Sequence, residues 1–441
     1  MSSELTQSIL LLGADKYFLS SCVSLGVDVT VVYGASAKDF GLMVIPGEAR
    51  AVFVEDQQNV ESILVGLHRE GLAEKKFDAV YTSDEGAVVA ASALGAFYGA
   101  RSISLDTALR FRNKSLQKDV VRSAGVPVAR YETIPDIGEL TSDFALPFDK
   151  AVLKPIAGAA TSTTYQVSSS AELFQLSRRI RANRRAPRTF LLEEFIEGAE
   201  WNVDGVVWEG EIVFMSTGQY QDPLLTALTE KKTLQTSMFD PIEDKWVYDR
   251  SEPLARRALK ALGLRSGVFH MELFYDAAED SLTFGECAAR RGGALIEEVV
   301  NQKFGVSLAG SAVHCSLGHT PGVSVELSAG VVGSSFLPTI PGILISCPTA
   351  KEIYELPGVE FARIEVPIGF HMSPEFSNSL AKVGQVMVQA DSALDLRKRL
   401  NEIVEWFLER TVVAPEGASP AQLREWQESI FRAPIDSKSQ E

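Results

Sequence analysis

Apolar and polar residues alternate most clearly near the middle of the chain, where they predict a β-hairpin. Over residues 267–275 the side chains alternate with a period of two, and residues 282–286 do the same on the return, as in two β-strands. The polar run 276–281 between them predicts the turn. A turn of this length places Glu272 opposite, or nearly opposite, Glu286.

Two glutamates placed across from each other repel and destabilise the strand pair. A divalent cation bound between their oxygens would remove the repulsion, since hard cations prefer carboxylate ligands. The alternative is that Glu272 and Glu286 both point into water on a solvated sheet face. The spacing alone leaves both interpretations open.

The N-terminal pattern predicts a parallel sheet. A buried strand at 8–12, a helix at 15–25 and a strand at 27–33 form a β-α-β unit. Its first turn carries only Gly13 of the G-x-G-x-x-G fingerprint, which argues against NAD or FAD. In a second unit, Asp84 and Glu85 follow a strand that ends at Tyr81. We expect both to cap the following helix, with ligand contact as the alternative.

Two further segments suggest a binding site. A buried strand ends at Lys154, and a loop of Gly, Ala, Ser and Thr follows over residues 156–164. Such a loop can bring backbone amides close to phosphates, and the lysine adds a positive charge, although a flexible hairpin tip has the same composition. The loop is not a Walker A motif. Residues 217–244 are polar with little periodicity, which predicts a mobile loop over the site.

Composition limits the class of protein. The chain has 441 residues, 46% of them hydrophobic and 23% charged, which is typical of a globular protein with two or three domains. Its formal net charge of −16 argues against a general nucleic-acid binder, because phosphate neutralisation needs surplus Lys and Arg. An anionic substrate would have to be bound by locally placed cations.

Neither a secretory signal nor a membrane span is predicted. An acidic residue precedes a short apolar run at the N-terminus, unlike a signal peptide, and no window approaches the ~20 apolar residues of a span. The four cysteines form no CxxC pair, which suits a reduced compartment and gives no zinc motif. We therefore expect a cytoplasmic protein that binds neither nucleic acid nor membrane.

Four elements, in this order, resemble the ATP-grasp ligases. They are Lys114 in RFRNKSLQKDVVRSAGVPV, Lys154 in AVLKPIAGAATSTT, the EEFIEGAEW strand, and HMEL followed by GECAARRGG. The resemblance covers roughly residues 1–400, and the RNK helix, the HMEL strand and the late FARIEVPIG segment look most like the amino-acid (dipeptide-forming) ligases.

The resemblance implies an α/β, ATP-grasp architecture in three parts. Residues 1–110 would form an N-terminal Rossmann-like domain. Residues 111–189 would form a small central lid subdomain with the phosphate loop. Residues 190–441 would form the C-terminal ATP-binding domain with a late α/β subdomain.

The resemblance also implies a role for each matching residue. The lysines Lys114 and Lys154 would contact the ATP phosphates under a loop that contains Gly158, Ala159 and Ser162. The adenine and ribose would be bound by Glu193, Glu194, Phe195, Ile196, Glu200 and Phe284, with Phe284 assigned by its alternation with Glu286. Glu272 and Glu286 would bind Mg²⁺, with Mn²⁺ as a substitute, and Arg290 would stabilise an acyl phosphate.

The implied reaction is amide formation between a small carboxylic acid or amino acid and an amino acid, through an acyl phosphate. This chain departs from the family pattern at two places. The family's E-x-N-x-R pattern reads ECAAR here, so Ala288 stands where relatives have a metal-binding Asn. The number of bound metal ions, one or two, is therefore open. Residues 226–241 also lack the acid or His with which some relatives contact substrate. The alternatives are a carboxylase acting on biotin or a purine precursor, and a non-catalytic nucleotide-binding protein. Related enzymes are often homodimers.

Overall fold

The computed structural model describes residues 7–35, 49–159, 161–372, 382–415, 417–419, 421–422 and 424–425. Its first part is a parallel sheet in the order β3-β2-β1-β4 with flanking helices. The strands are β1 Ser8–Leu12, β2 Asp28–Tyr33, β3 Arg50–Phe53 and β4 Ala79–Thr82, and the helices are α1 Lys16–Ser24, α2 Val60–Arg69 and α3 Val88–Tyr98. Asp15 caps α1 by accepting the N–H groups of Tyr17 and Phe18, so the predicted β-α-β start is present.

A second sheet follows two helices. The helices are α4 Leu105–Arg112 and α5 Lys114–Ser123, and the strands are β5 Tyr131–Ile134, β6 Ala151–Pro155, β7 Tyr165–Val167 and β8 Phe190–Glu194, with α6 Ser170–Ala182 between the last two. The antiparallel order is β5-β8-β6-β7. The predicted boundary at 189/190 falls directly before β8, whose partners are β5 and β6. The predicted division into three domains stays a prediction.

The largest sheet has eight antiparallel strands in the order β13-β12-β9-β10-β11-β14-β18-β16. These strands are β9 Ala199–Trp208, β10 Glu211–Tyr220, β11 Gln235–Met238, β12 Gly267–Asp276, β13 Ser281–Ala288, β14 Val331–Leu337, β16 Val359–Ile364 and β18 Gly384–Ala390. Helices between them are α7 Leu224–Thr229, α8 Lys245–Leu262, α9 Ile296–Phe304 and α10 Leu308–Leu317.

A small sheet, β17-β15-β19, completes the described fold. It contains β15 Gly342–Ser346, β17 His371–Met372 and β19 Val412–Ala414, near the helices α11 Ala350–Tyr354 and α12 Ala393–Glu409. Among the helices of the described ranges, none has the length and apolar content of a membrane span.

The predicted hairpin is formed by β12 and β13, and Glu272 pairs directly with Glu286. On one face of β12, Phe269, Met271 and Leu273 are fully buried in the core that α8 covers. His270 and Glu272 lie on the opposite face, as alternation requires. This face belongs to a cavity between the sheets.

The prediction of a loop over the site at 217–244 is wrong about the loop and right about the place, since Pro223, Leu224 and Thr226 line the cavity. The segment contains the end of β10, helix α7, strand β11 and the beginning of the turn that leads to α8. Strand β11 pairs with both β10 and β14, so it lies inside the large sheet. The sequence pattern did not predict β11 because its residues are mostly polar. The strand is stabilised by its hydrogen bonds and its neighbouring strands.

Candidate active site

A cavity of about 460 Å³ lies between the three large sheets. Its walls come from the turn after β4, from β6 and β8, and from β9, β12 and β13. The predicted site residues that line it are Lys114, Lys154, Gly158, Ala159, Glu193, Glu194, Phe195, Ile196, Glu200, Glu272, Phe284, Glu286 and Arg290. The fold therefore brings together residues that are up to 176 positions apart in the chain (290 − 114).

Glu286 lies among lysines at the centre of the cavity. Its Oε2 is 2.8 Å from the Nζ of Lys114 and 3.6 Å from the Nζ of Lys154. Burial raises the pKa of Glu286, but the charges of Lys114 and Lys154 outweigh it and hold the pKa well below its usual range. Glu286 is therefore ionised at neutral pH, and the solvated-face interpretation does not hold for it.

A third lysine, Lys118, lies beside this pair. Its Nζ is 3.4 Å from Glu193 Oε2 and donates to Gly285 O at 3.0 Å, while Lys154 Nζ is 3.0 Å from Glu193 Oε1. Burial lowers the pKa of Lys118 to about 8. Lys118 was not predicted, although it follows Lys114 by four residues on α5, a spacing that places both on one helix face.

Arg290 is held by Glu85, which lies in the turn after β4 of the N-terminal sheet. Its Nη2 donates to Glu85 Oε2 at 2.7 Å, and its Nη1 donates to Arg291 O at 3.0 Å. Glu85 Oε1 is also 3.8 Å from Lys114 Nζ. The capping prediction is right in part for Asp84, which accepts the N–H of Gly86 in the 3₁₀ turn that leads into α3 and also lines the cavity. It is incomplete for Glu85, whose carboxylate contacts Arg290.

The small-residue loop after β6 forms another wall. Gly158 and Ala159 line the cavity, and so do Thr161 and Thr164. Ser162 is not among the lining residues; its N–H donates to Ala159 O at 3.1 Å. Ala160 lies outside the described residues. The hydroxyl side chains at this wall are therefore those of the threonines.

Another part of the cavity wall has apolar side chains and a main-chain segment with unpaired hydrogen-bonding groups among the described residues. Phe284 is fully buried, and it lines the cavity together with Phe195 and Ile196. The N–H of Glu194 donates to Arg130 O, and the N–H of Phe195 donates to Lys150 O, each at 2.9 Å. The main chain of Ile196 has no hydrogen-bond partner among the described residues. A flat heteroaromatic ring could bond to this main-chain segment.

Glu200 lines the cavity and also contacts the 217–244 segment. It is 4% exposed, and its Oε2 accepts the N–H of Leu224 at the start of α7, at 2.7 Å. Burial and the nearby charge of Glu272 raise the pKa of Glu200 well above its usual range. Glu200 and the buried Glu193 both belong to the cavity wall.

His270 is a cavity residue that the motif search left without a role. Its Nδ1 lies 2.9 Å from Asp204 Oδ1, and its Nε2 lies 3.6 Å from Glu272 Oε1. Burial lowers the pKa of His270, but the carboxylates of Asp204 and Glu272 outweigh it and raise the pKa to about 10. The imidazole is therefore charged at neutral pH.

We expect the free energy of unfolding to fall as pH rises from about 6.5, the pKa of an unfolded imidazole, to about 10, its folded value. A raised folded-state pKa gives stability that is complete below the unfolded pKa and lost as pH reaches the folded pKa. For one proton, the slope of the free energy of unfolding is about 1.4 kcal/mol per pH unit. The pH dependence is measured by urea unfolding of the wild-type protein and of His270→Gln, each near neutral pH and near pH ~9.5. Parallel pH profiles for the two proteins would contradict a charged His270.

Comparison with known sequences matches residues 147–298 to the ATP-grasp domain family. An L-arginine-specific L-amino acid ligase from Bacillus subtilis is 25% identical to this chain over 312 residues. The match covers 70% of this chain and 74% of the relative. The matched domain contains β6, β8 and the β12–β13 hairpin.

Solved structures share the fold over nearly the whole chain. An L-amino acid ligase from Bacillus licheniformis superposes with a TM-score of 0.75 at 17% identity, covering 94% of this chain and all of the other. A carboxyaminoimidazole ribonucleotide synthase from Aspergillus clavatus, complexed with ATP, gives 0.66 at 16% identity, covering 91% and 99%. These likenesses confirm the predicted fold class.

Proposed function

We propose that this chain, which carries an ATP-grasp domain, is an ATP-dependent carboxylate–amine ligase. It would join an amino acid or small carboxylic acid to an amino acid by an amide bond and release ADP and phosphate. The similarity to L-amino acid ligases in both sequence and fold supports this proposal.

One observation carries the proposal: cations and carboxylates alternate along the cavity floor. The sequence of contacts runs from Arg290 through Glu85, Lys114, Glu286, Lys154 and Glu193 to Lys118. Polyphosphate needs closely spaced cations, and a metal ion needs a carboxylate within the same space. This row offers both, in an otherwise acidic protein.

ATP would lie along this row. Lys114 and Lys154 would contact its phosphates, under the loop that contains Gly158, Ala159 and Ser162. Adenine would pack on Phe284 and Phe195 and bond to the main chain at Ile196 and Glu194, next to Glu193. Glu200, whose carboxyl is buried in the cavity wall, would lie beside the ribose.

The residues present fit Mg²⁺. Glu272 and Glu286 are paired across two strands and line the same cavity. Mg²⁺ is usually bound by one or two carboxylates together with phosphate oxygens and water. No group of three or more His, Cys, Asp or Glu side chains with the geometry to hold a metal ion occurs in the described part of the chain, so phosphate and water would complete the shell. Bound there, the ion would neutralise charge on the transferred phosphoryl group.

The proposed chemistry has two steps. A carboxylate oxygen of the acid attacks the γ-phosphorus, and the bond to the β–γ bridging oxygen breaks, which gives ADP and an acyl phosphate. The amine nitrogen then attacks the acyl carbon, the carbon–oxygen bond to phosphate breaks, and the nitrogen loses a proton. Lys114, Lys154 and Arg290 would hold the reactants and offset negative charge, so no protein nucleophile is required.

The test is a screen of phosphate release over pairs of amino acids and small carboxylic acids, with ATP and Mg²⁺ and mass detection of products. We expect amide products, each matched by one ADP and one phosphate. The solved carboxyaminoimidazole ribonucleotide synthase makes a carboxylase the second candidate. ADP release that needs bicarbonate and no amine would support it instead. ATP binding without turnover on any mixture would contradict both.

A further inference from the structure

Asp204 is a fully buried carboxylate behind the cavity wall. It lies on β9, next to β12, and is 0% exposed. Its Oδ1 accepts from His270 Nδ1 at 2.9 Å and from the N–H of Gly292 at 3.1 Å, and its Oδ2 accepts from Asn202 Nδ2 at 3.0 Å. Burying a carboxylate without such partners costs free energy. The groups that Asp204 contacts therefore indicate its role.

The first contact leads to the predicted metal residue Glu272. His270 pairs with Asp204 on one side and with Ala288 on the other, so the imidazole lies between a carboxylate and a small side chain. Its second nitrogen faces Glu272 at 3.6 Å. Asp204 therefore fixes the orientation of the ring, and the ring stands beside the carboxylate of Glu272. Such carboxylate–histidine pairs orient metal ligands in many sites.

The second contact leads to Arg290. Gly292 follows Arg290 by two residues, and its N–H is bound to Asp204. A Cβ at Gly292 would lie 2.7 Å from His270 Nδ1 and 2.8 Å from Asp204 Oδ1, so only glycine fits this approach. Ala294 and Leu295 then adopt φ values of 51° and 64°, which non-glycine residues rarely do. The turn after Arg290 is thus held in place by the hydrogen bond from Gly292 to Asp204.

We propose, on the basis of the function proposed above, that Asp204 is a positioning residue. Through His270 it orients Glu272, and through Gly292 it sets the turn that carries Arg290. One buried carboxylate thereby fixes the metal-binding and the phosphate-stabilising side chains relative to each other. Asp204 itself does not line the cavity, so it acts through these neighbours.

The test is Asp204→Asn, which keeps the shape and removes the charge and one acceptor. We expect the dissociation constant for Mn²⁺ in the presence of ADP, measured by electron paramagnetic resonance, to rise by about 10-fold or more. The kcat should fall by a similar factor, whereas the KM for ATP should change less. The Mn²⁺ measurement needs no turnover, so it remains informative even if the protein proves not to form amides.

Two control variants separate positioning from general damage. Asp240→Asn breaks a partly buried carboxylate contact, the 2.7 Å pair with the buried Lys303, outside the cavity lining. Ser216→Ala removes the hydrogen bond to Asp204 O and leaves the carboxylate intact. Both should bind Mn²⁺ with wild-type affinity. Equal weakening in Asp240→Asn, or wild-type affinity in Asp204→Asn, would overturn the proposal.

A second variant keeps the test decisive if Asp204→Asn does not fold. His270→Gln removes the imidazole that lies between Asp204 and Glu272 and leaves the contact from Gly292 to Asp204. We expect it to weaken Mn²⁺ binding by a factor similar to that for Asp204→Asn, with a smaller loss of kcat, because the turn after Arg290 stays bound. Wild-type Mn²⁺ affinity in His270→Gln would refute the link from Asp204 to Glu272.

Discussion

Replacing Glu286 with glutamine is expected to reduce kcat/KM by at least about 100- to 1000-fold, the range seen when one preorganised electrostatic partner is removed. The neutral amide would leave Lys114 and Lys154 without the carboxylate that lies 2.8 and 3.6 Å away. It would also remove one of the two proposed Mg²⁺ ligands. Coupled ADP release measures the rate, and calorimetry with ATP and Mg²⁺ measures binding.

Glu279→Gln is the matched control for Glu286→Gln. It makes the same chemical change in the same hairpin, at an exposed position in the turn between β12 and β13. It should keep wild-type activity and Mg²⁺-dependent binding. A Glu286→Gln enzyme that required no more Mg²⁺ than wild type would rule out Glu286 as a metal ligand.

Removal of the Arg290 guanidinium is expected to have the second-largest effect. We expect Arg290→Ala to lower kcat by about 100-fold or more, with little change in the KM for ATP, because the side chain is proposed to act on charge that develops during transfer. Arg290→Lys should recover only part of the loss, since an ammonium lacks the planar pair of donors. Steady-state kinetics with mass detection of the amide separates kcat from KM.

Arg257→Ala serves as the control for Arg290→Ala, because Arg257 is an exposed arginine on α8, outside the cavity lining. It should show wild-type kinetics. Amide formation at full rate in Arg290→Ala would eliminate the proposed role of Arg290. Loss of ATP binding in that variant would instead show that Arg290 supports the ground state, through its 2.7 Å pair with Glu85.

Local pattern was sufficient for the elements that carry most predicted site residues. Period-two alternation predicted the hairpin, its turn at 276–281 and Glu272 opposite or nearly opposite Glu286. The direct pairing of Glu272 with Glu286 depends on a register shift between Glu272 and Leu273, which alternation does not predict. The resemblance to ATP-grasp ligases supplied Lys114, Lys154 and Arg290. Strand β11 was missed, because its polar residues are stabilised by neighbours that no local window contains.

The sequence by itself determined most element types, the hairpin and the set of charged residues that a phosphate and metal site would need. Only the tertiary structure decided which partners these residues meet. Glu85 reaches Arg290 across 205 positions, and Asp204 reaches His270 across 66 and Gly292 across 88. Alternation and helical spacing act over a few residues, whereas contacts of this kind depend on how whole sheets pack. The alternating charges along the cavity are therefore a property of the fold.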